Sequence, residues 1–141
     1  MGIDIHLVLQ VKKEDKWITI GNPMLYRNRE LFYFLCGVDN LGQFDDSEIM
    51  PKSKPRGFPE DFEINKDGNH PFVISHNDFD NNDFSLSKFV HMGDHDASWL
   101  NLSEFTLNDI FSYNSISNLV GEFVKAGFNL EDVRMVFNFD S

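Results

Sequence analysis

The chain opens on an alternating run, Gly2-Ile3-Asp4-Ile5-His6-Leu7-Val8-Leu9. Residues two apart on a pleated strand point the same way. The alternation therefore predicts a strand over 3–11, with Ile3, Ile5 and Leu7 on one face and Asp4 and His6 on the other. Lys12-Lys13-Glu14-Asp15-Lys16 reads as a polar turn and Trp17-Ile18-Thr19-Ile20 as a short returning strand, so the two make a hairpin that ends at Gly21-Asn22-Pro23. Asn28 or Arg27 then opens a helix through Glu30–Leu35, stopped at Gly37.

Residues 38–70 are rich in Asp, Pro, Gly and Lys and carry few periodic apolar positions, which predicts a long ordered loop with a short helix at 59–64. Pro71-Phe72-Val73-Ile74 reads as a short strand. The polar stretch Asn77–Phe84 resembles the start of a calcium loop, but Asp83 and Phe89 stand where such a loop needs Gly and Glu, so a calcium site is rejected. After a polar loop at His91–Asp96, Trp99–Leu102 reads as a strand, and Ser103 or Thr106 caps a short helix toward Tyr113. From Ser115 a clearer helix carries Ile116, Leu119, Val120, Phe123 and Val124 on one face, with Gly127 as its stop. Val133–Phe139 closes the chain as a strand that buries Val133, Met135, Phe137 and Phe139 on one side. Together these elements predict one α+β domain over 1–141, a mainly antiparallel sheet covered by two or three helices.

Composition narrows this picture. The chain has 141 residues, 41% of them hydrophobic, and its 15 Phe argue for a packed core. No apolar run approaches the ~20 residues of a membrane-spanning helix, and the N-terminus lacks the pattern of a signal peptide. Cys36 is the single cysteine, so internal disulfides and cysteine-only zinc sites are excluded; it reads as a core residue in a cytoplasmic protein. A formal net charge of -11 disfavours direct nucleic-acid binding. It leaves open an acidic surface that mimics nucleic acid, or one that serves solubility alone.

Candidate chemistry lies in three places. Asp4 and His6, ionisable and on one face of a core strand, need partners or a task. The chain has only four arginines, and three fall in loop-like segments: Arg27 and Arg29 in Tyr-Arg-Asn-Arg, and Arg56 in Pro-Arg-Gly. Guanidinium forks bind phosphate or carboxylate at two points, so these three would form one anion pocket; the plainer alternative is pairing with the chain's own carboxylates. His91, Asp94, His95 and Asp96 could hold zinc or manganese with Asp4 and His6, but no recognised metal spacing occurs, and no metal or cofactor is assigned. Trp99 and Tyr26 could stack on a base. No nucleophile elbow or Gly-rich phosphate loop is present.

The segments Gly2-Ile3-Asp4-Ile5-His6, Tyr26-Arg27-Asn28-Arg29, Pro55-Arg56-Gly57-Phe58-Pro59-Glu60-Asp61, Ser98-Trp99-Leu100 and Val133–Asp140 resemble a family of small bacteriophage and prophage proteins. Relatives tend to carry His-Ser-His-Ser-Trp where this chain has Asp94-His95-Asp96-Ala97-Ser98-Trp99. The resemblance implies a phage setting and no particular activity. The expected function is binding of a small anionic ligand, a nucleotide second messenger of host defence, by Asp4, His6, Tyr26, Arg27, Arg29, Arg56, Asp94, His95 and Trp99. A homo-oligomer is an open option. The rivals are a metal-dependent phosphoesterase using His6, His95 and Asp94, and an acidic protein-binding inhibitor.

Overall fold

The computed structural model describes residues 2–25, 27–67, 70–76 and 87–140. Its strands are β1 (Asp4–Lys13), β2 (Lys16–Gly21), β3 (Asn65–Asp67), β4 (His70–His76), β5 (Ser87–His91), β6 (His95–Asn101) and β7 (Val133–Asp140). Its α-helices are α1 (Arg29–Cys36), α2 (Leu107–Ser112) and α3 (Asn114–Lys125). One antiparallel sheet runs β2-β1-β7-β6 and a second runs β3-β4-β5.

The predicted alternation of β1 and β7 explains why they pair at the centre of the larger sheet. Ile3, Leu7, Leu9 and Val11 join Val133, Met135, Phe137 and Phe139 on one face, where Phe32, Leu35, Ile116, Val120 and Phe123 of α1 and α3 cover them. The opposite face is covered too. Val8 and Val136 pack against Val73, Val90, Met92 and Phe62 beneath the smaller sheet. The domain is thus three layers, helices on sheet on sheet, and β7 is buried from Val133 to Phe139.

Polar residues on that second face oppose one another in register: Asp4 faces Asp140, His6 faces Asn138 and Gln10 faces Arg134. At one end of the face the partners are other side chains. Arg134 donates to Gln10 Oε1 at 2.7 Å and Asp61 Oδ1 at 2.9 Å, and Gln10 donates to Thr19 at 3.0 Å. The Arg134 guanidinium also lies 4.2 Å over the Trp17 ring.

The helix signals are physical caps. Asn28 accepts from the Leu31 N–H at 3.1 Å and opens α1, which ends at Gly37. Thr106 and Asp109 form a reciprocal capping box at α2. Beyond α3, Gly127 at φ 89° lets Phe128 N–H reach Phe123 O while Gly127 N–H reaches Val124 O, both at 3.0 Å.

Several expectations are corrected. The 38–70 loop ends at 64, because β3 begins at Asn65. Residues 59–64 form a turn closed by Phe62 N–H on Pro59 O, not a helix; two phenylalanines stacked at 5.1 Å, Phe58 and Phe62, hold it against the sheet. β6 starts at His95, so His95 and Asp96 belong to a strand, and His91 ends β5. Val124, expected on the buried face of α3, is 57% exposed; Ile116, Val120 and Phe123 make that face. The rejected calcium segment, Asn77–Phe84, lies outside the described residues.

Candidate functional site

Two hollows meet at the segment that joins β2 to α1. The first, of about 490 Å³, is lined by Asp4, Ile5, His6, Leu7, Asn22, Pro23, Met24, Leu25, Arg27, Val90, His91 and Asp140. The second, of about 510 Å³, is lined by Met24, Leu25, Arg27, Asn28, Arg29, Gln43, Phe44 and Ser115. Met24, Leu25 and Arg27 belong to both.

β1 and β7 build the wall of the first hollow. Asp4 and His6 share a face of an interior strand, as their spacing predicts. Arg27 reaches Asp4 with both prongs, Nε to Oδ1 at 2.8 Å and Nη2 to Oδ2 at 3.2 Å. That hydrogen-bonded fork holds the Asp4 carboxyl below its ordinary range and raises the already basic Arg27. The guanidinium lies flat over Gly2. A Cβ there would stand 2.2 Å from Arg27 Nη1 and 2.5 Å from its Cζ. His6 contacts the His91 carbonyl through Nδ1 at 3.1 Å and Asp140 Oδ2 through Nε2 at 2.5 Å. Both ring nitrogens face protein acceptors.

Two residues beyond His91, the chain is held against β7 by Asn138. This buried side chain accepts from Gly93 N–H at 2.6 Å and donates to Gly93 O at 2.8 Å. Gly93 has no room for a side chain: a Cβ would stand 2.3 Å from Phe139 O.

The second hollow opens over the start of α1. Asn28 takes the Leu31 N–H and the Phe32 N–H, which leaves the Arg29 and Glu30 N–H groups without an intrahelical acceptor. Arg29 donates through Nη2 to Asp39 Oδ1 at 3.2 Å, while its Nε is buried without a partner. Burial opposes the charge on Asp39, but the N–H groups of Phe44, Leu41 and Gln43 and the Arg29 fork outweigh it and hold the carboxyl below its ordinary range. The positive end of α1, Arg27 and Arg29 thus converge on one space.

The remaining candidates lie elsewhere. Arg56 grips Glu104 with Nη1 at 2.9 Å and Nη2 at 2.6 Å, donates to Trp99 O at 3.1 Å and stacks 4.7 Å over the Trp99 ring. Its own N–H reaches Ser98, and Gly57 N–H reaches Ala97 O, so this segment seals the outer edge of β6. Of the three arginines expected in one pocket, Arg27 and Arg29 line the second hollow, and Arg56 lies against Trp99 at the edge of β6. His95 bonds Asp96 through Nδ1 at 2.9 Å, its Nε2 is buried without a partner, and its ring lies over Phe139. Asp94 donates its N–H to Phe139 O. Neither residue lines the two hollows. Among the described residues no three His, Cys, Asp or Glu side chains come together to hold a metal ion. Tyr26 lies outside the described residues.

A third hollow of about 470 Å³, between β2 and β4, has the wrong sign for an anion: Asp15, Asp61 and Glu63 line it with Lys16. Sequence reasoning missed Asp140, Asn138, Met24, Gln43 and Ser115. For the first two a signal existed. Asn138 and Asp140 repeat the two-residue spacing of Asp4 and His6, and antiparallel pairing brings the two sets together.

Among the described residues no helix is long and apolar enough to cross a membrane. No family model, no curated protein and no solved structure matches the chain.

Proposed function

We propose that the protein captures a small anionic ligand of nucleotide type. The carrying observation is that Arg27 borders both hollows while Arg29 and Asn28, at the N-terminus of α1, line the second. A phosphate would sit against Arg27, Arg29 and Ser115, and the base would lie in the first hollow beside His6 and Asp140, against Met24 and Leu25. The resemblance to phage proteins supports a finer reading, in which a phage uses this protein to remove a nucleotide messenger of host defence from circulation. Capture without turnover is favoured because His6 has both nitrogens committed, and His95, oriented by Asp96 as a general base would be, turns its free nitrogen into the core.

The test is calorimetric titration of cyclic and linear nucleotides into the wild type, Arg27→Ala and Arg29→Ala. Removing one charge-assisted phosphate contact should weaken binding by about 1.5–3 kcal/mol, roughly 10- to 150-fold. Heating the complex should release intact ligand. If no nucleotide gives heat or raises the melting temperature, the reading fails. Product in excess of protein would replace capture with catalysis.

A further inference from the structure

We infer that the first hollow selects guanine over other bases, an inference that rests on the nucleotide reading above. The polar wall of that hollow is rich in acceptors. Asp4 and Asp140 stand side by side across β1 and β7, their side chains 49% and 43% exposed. The groups that could donate there are largely engaged: Arg27 is forked onto Asp4, and His6 is bound to Asp140 and the His91 carbonyl. His6 holds Asp140 by Oδ2, and among the described residues no side chain is hydrogen-bonded to Oδ1.

The open Oδ1 and the second lone pair of Oδ2 can together accept from two adjacent N–H donors. Guanine presents them as N1–H and its 2-amino group. Adenine presents a donor beside the N1 lone pair, which a carboxylate repels; hypoxanthine keeps N1–H and lacks the amino group. The phosphate end is blind to the base, because Arg27, Arg29 and the α1 N–H groups read charge alone. Affinity and selectivity therefore reside in different hollows and can be measured apart.

The experiment compares guanosine, inosine and adenosine 5′-monophosphates and inorganic phosphate by calorimetry, with wild type and Asp140→Asn. The expected order is guanosine, inosine, adenosine, with guanosine about 10- to 100-fold tighter than adenosine. Asp140→Asn should abolish that ratio, and its circular dichroism and melting transition report whether the variant is folded. If Asp140→Asn loses phosphate binding as well, His6→Gln, which leaves the carboxylate in place, should keep the guanosine preference. Equal binding of guanosine and adenosine overturns the inference and leaves anion capture standing. Binding of nothing in the panel overturns both.

Discussion

Asn138→Leu tests whether the second face of the central sheet is held by the hydrogen bonds assigned to it. The substitution keeps the branched shape and removes both polar atoms. Asn138 makes two buried bonds to one residue, Gly93 N–H at 2.6 Å and Gly93 O at 2.8 Å. Each bond contributes about 1 kcal/mol net, and each Gly93 group left buried without a partner costs about 1–3 kcal/mol. No neighbour can close the gap cheaply, because Gly93 already sits against the backbone of β7. For the two groups together the expected loss is about 2–6 kcal/mol. With a urea m-value of about 1–3 kcal/mol/M, a loss of about 3 kcal/mol moves the unfolding midpoint down by about 1–3 M at unchanged m. A loss under about 0.5 kcal/mol would refute the reasoning, since it would mean that water or a rearranged turn satisfies Gly93 equally well.

Gly2→Ala should displace the Arg27 guanidinium, because the added Cβ would meet it at 2.2 Å; nucleotide affinity should fall toward that of Arg27→Ala with little change in melting temperature, and unchanged affinity contradicts the placement. Burial pushes the Cys36 thiol up to about 12, so a thiol reagent at pH 8 should modify no cysteine in the native protein and one in urea. Asp39, Asp109 and Glu104 are all held below their ordinary values, so the unfolded chain binds protons more tightly than the folded one. Their contribution is complete above the ordinary carboxylate range and is lost as pH falls through it; urea midpoints from pH 7 to pH 3 should drop, less steeply in Asp39→Asn.

The parts of the fold that were legible are those written locally. The period of two in β1 and β7 names the residues that face the helices, and Asn28, Thr106 and Gly127 mark helix ends through bonds made within a few residues. What was not legible is written across the chain. His95-Asp96-Ala97-Ser98 shows no alternation because β6 pairs irregularly with β7 between His95 and Ser98, and Asp96 takes φ 53°. The smaller sheet was missed because β5 has no local pattern and acquires its register from β4. Asp4 and His6 were found because one strand carries both. Arg56 was misplaced because its carboxylate partner, Glu104, is 48 residues away, and residue type alone cannot separate an arginine at the edge of β6 from Arg27 and Arg29, which line a hollow.

The most direct test of anion capture is an amide and side-chain NMR titration of the wild type with guanosine 5′-monophosphate. The account predicts saturable shifts confined to the Arg29 and Glu30 N–H groups, Ser115 and the His6 ring, with the first two also moved by inorganic phosphate. An unchanged spectrum, or shifts centred on the Trp17 indole in the acidic hollow between β2 and β4, would contradict it.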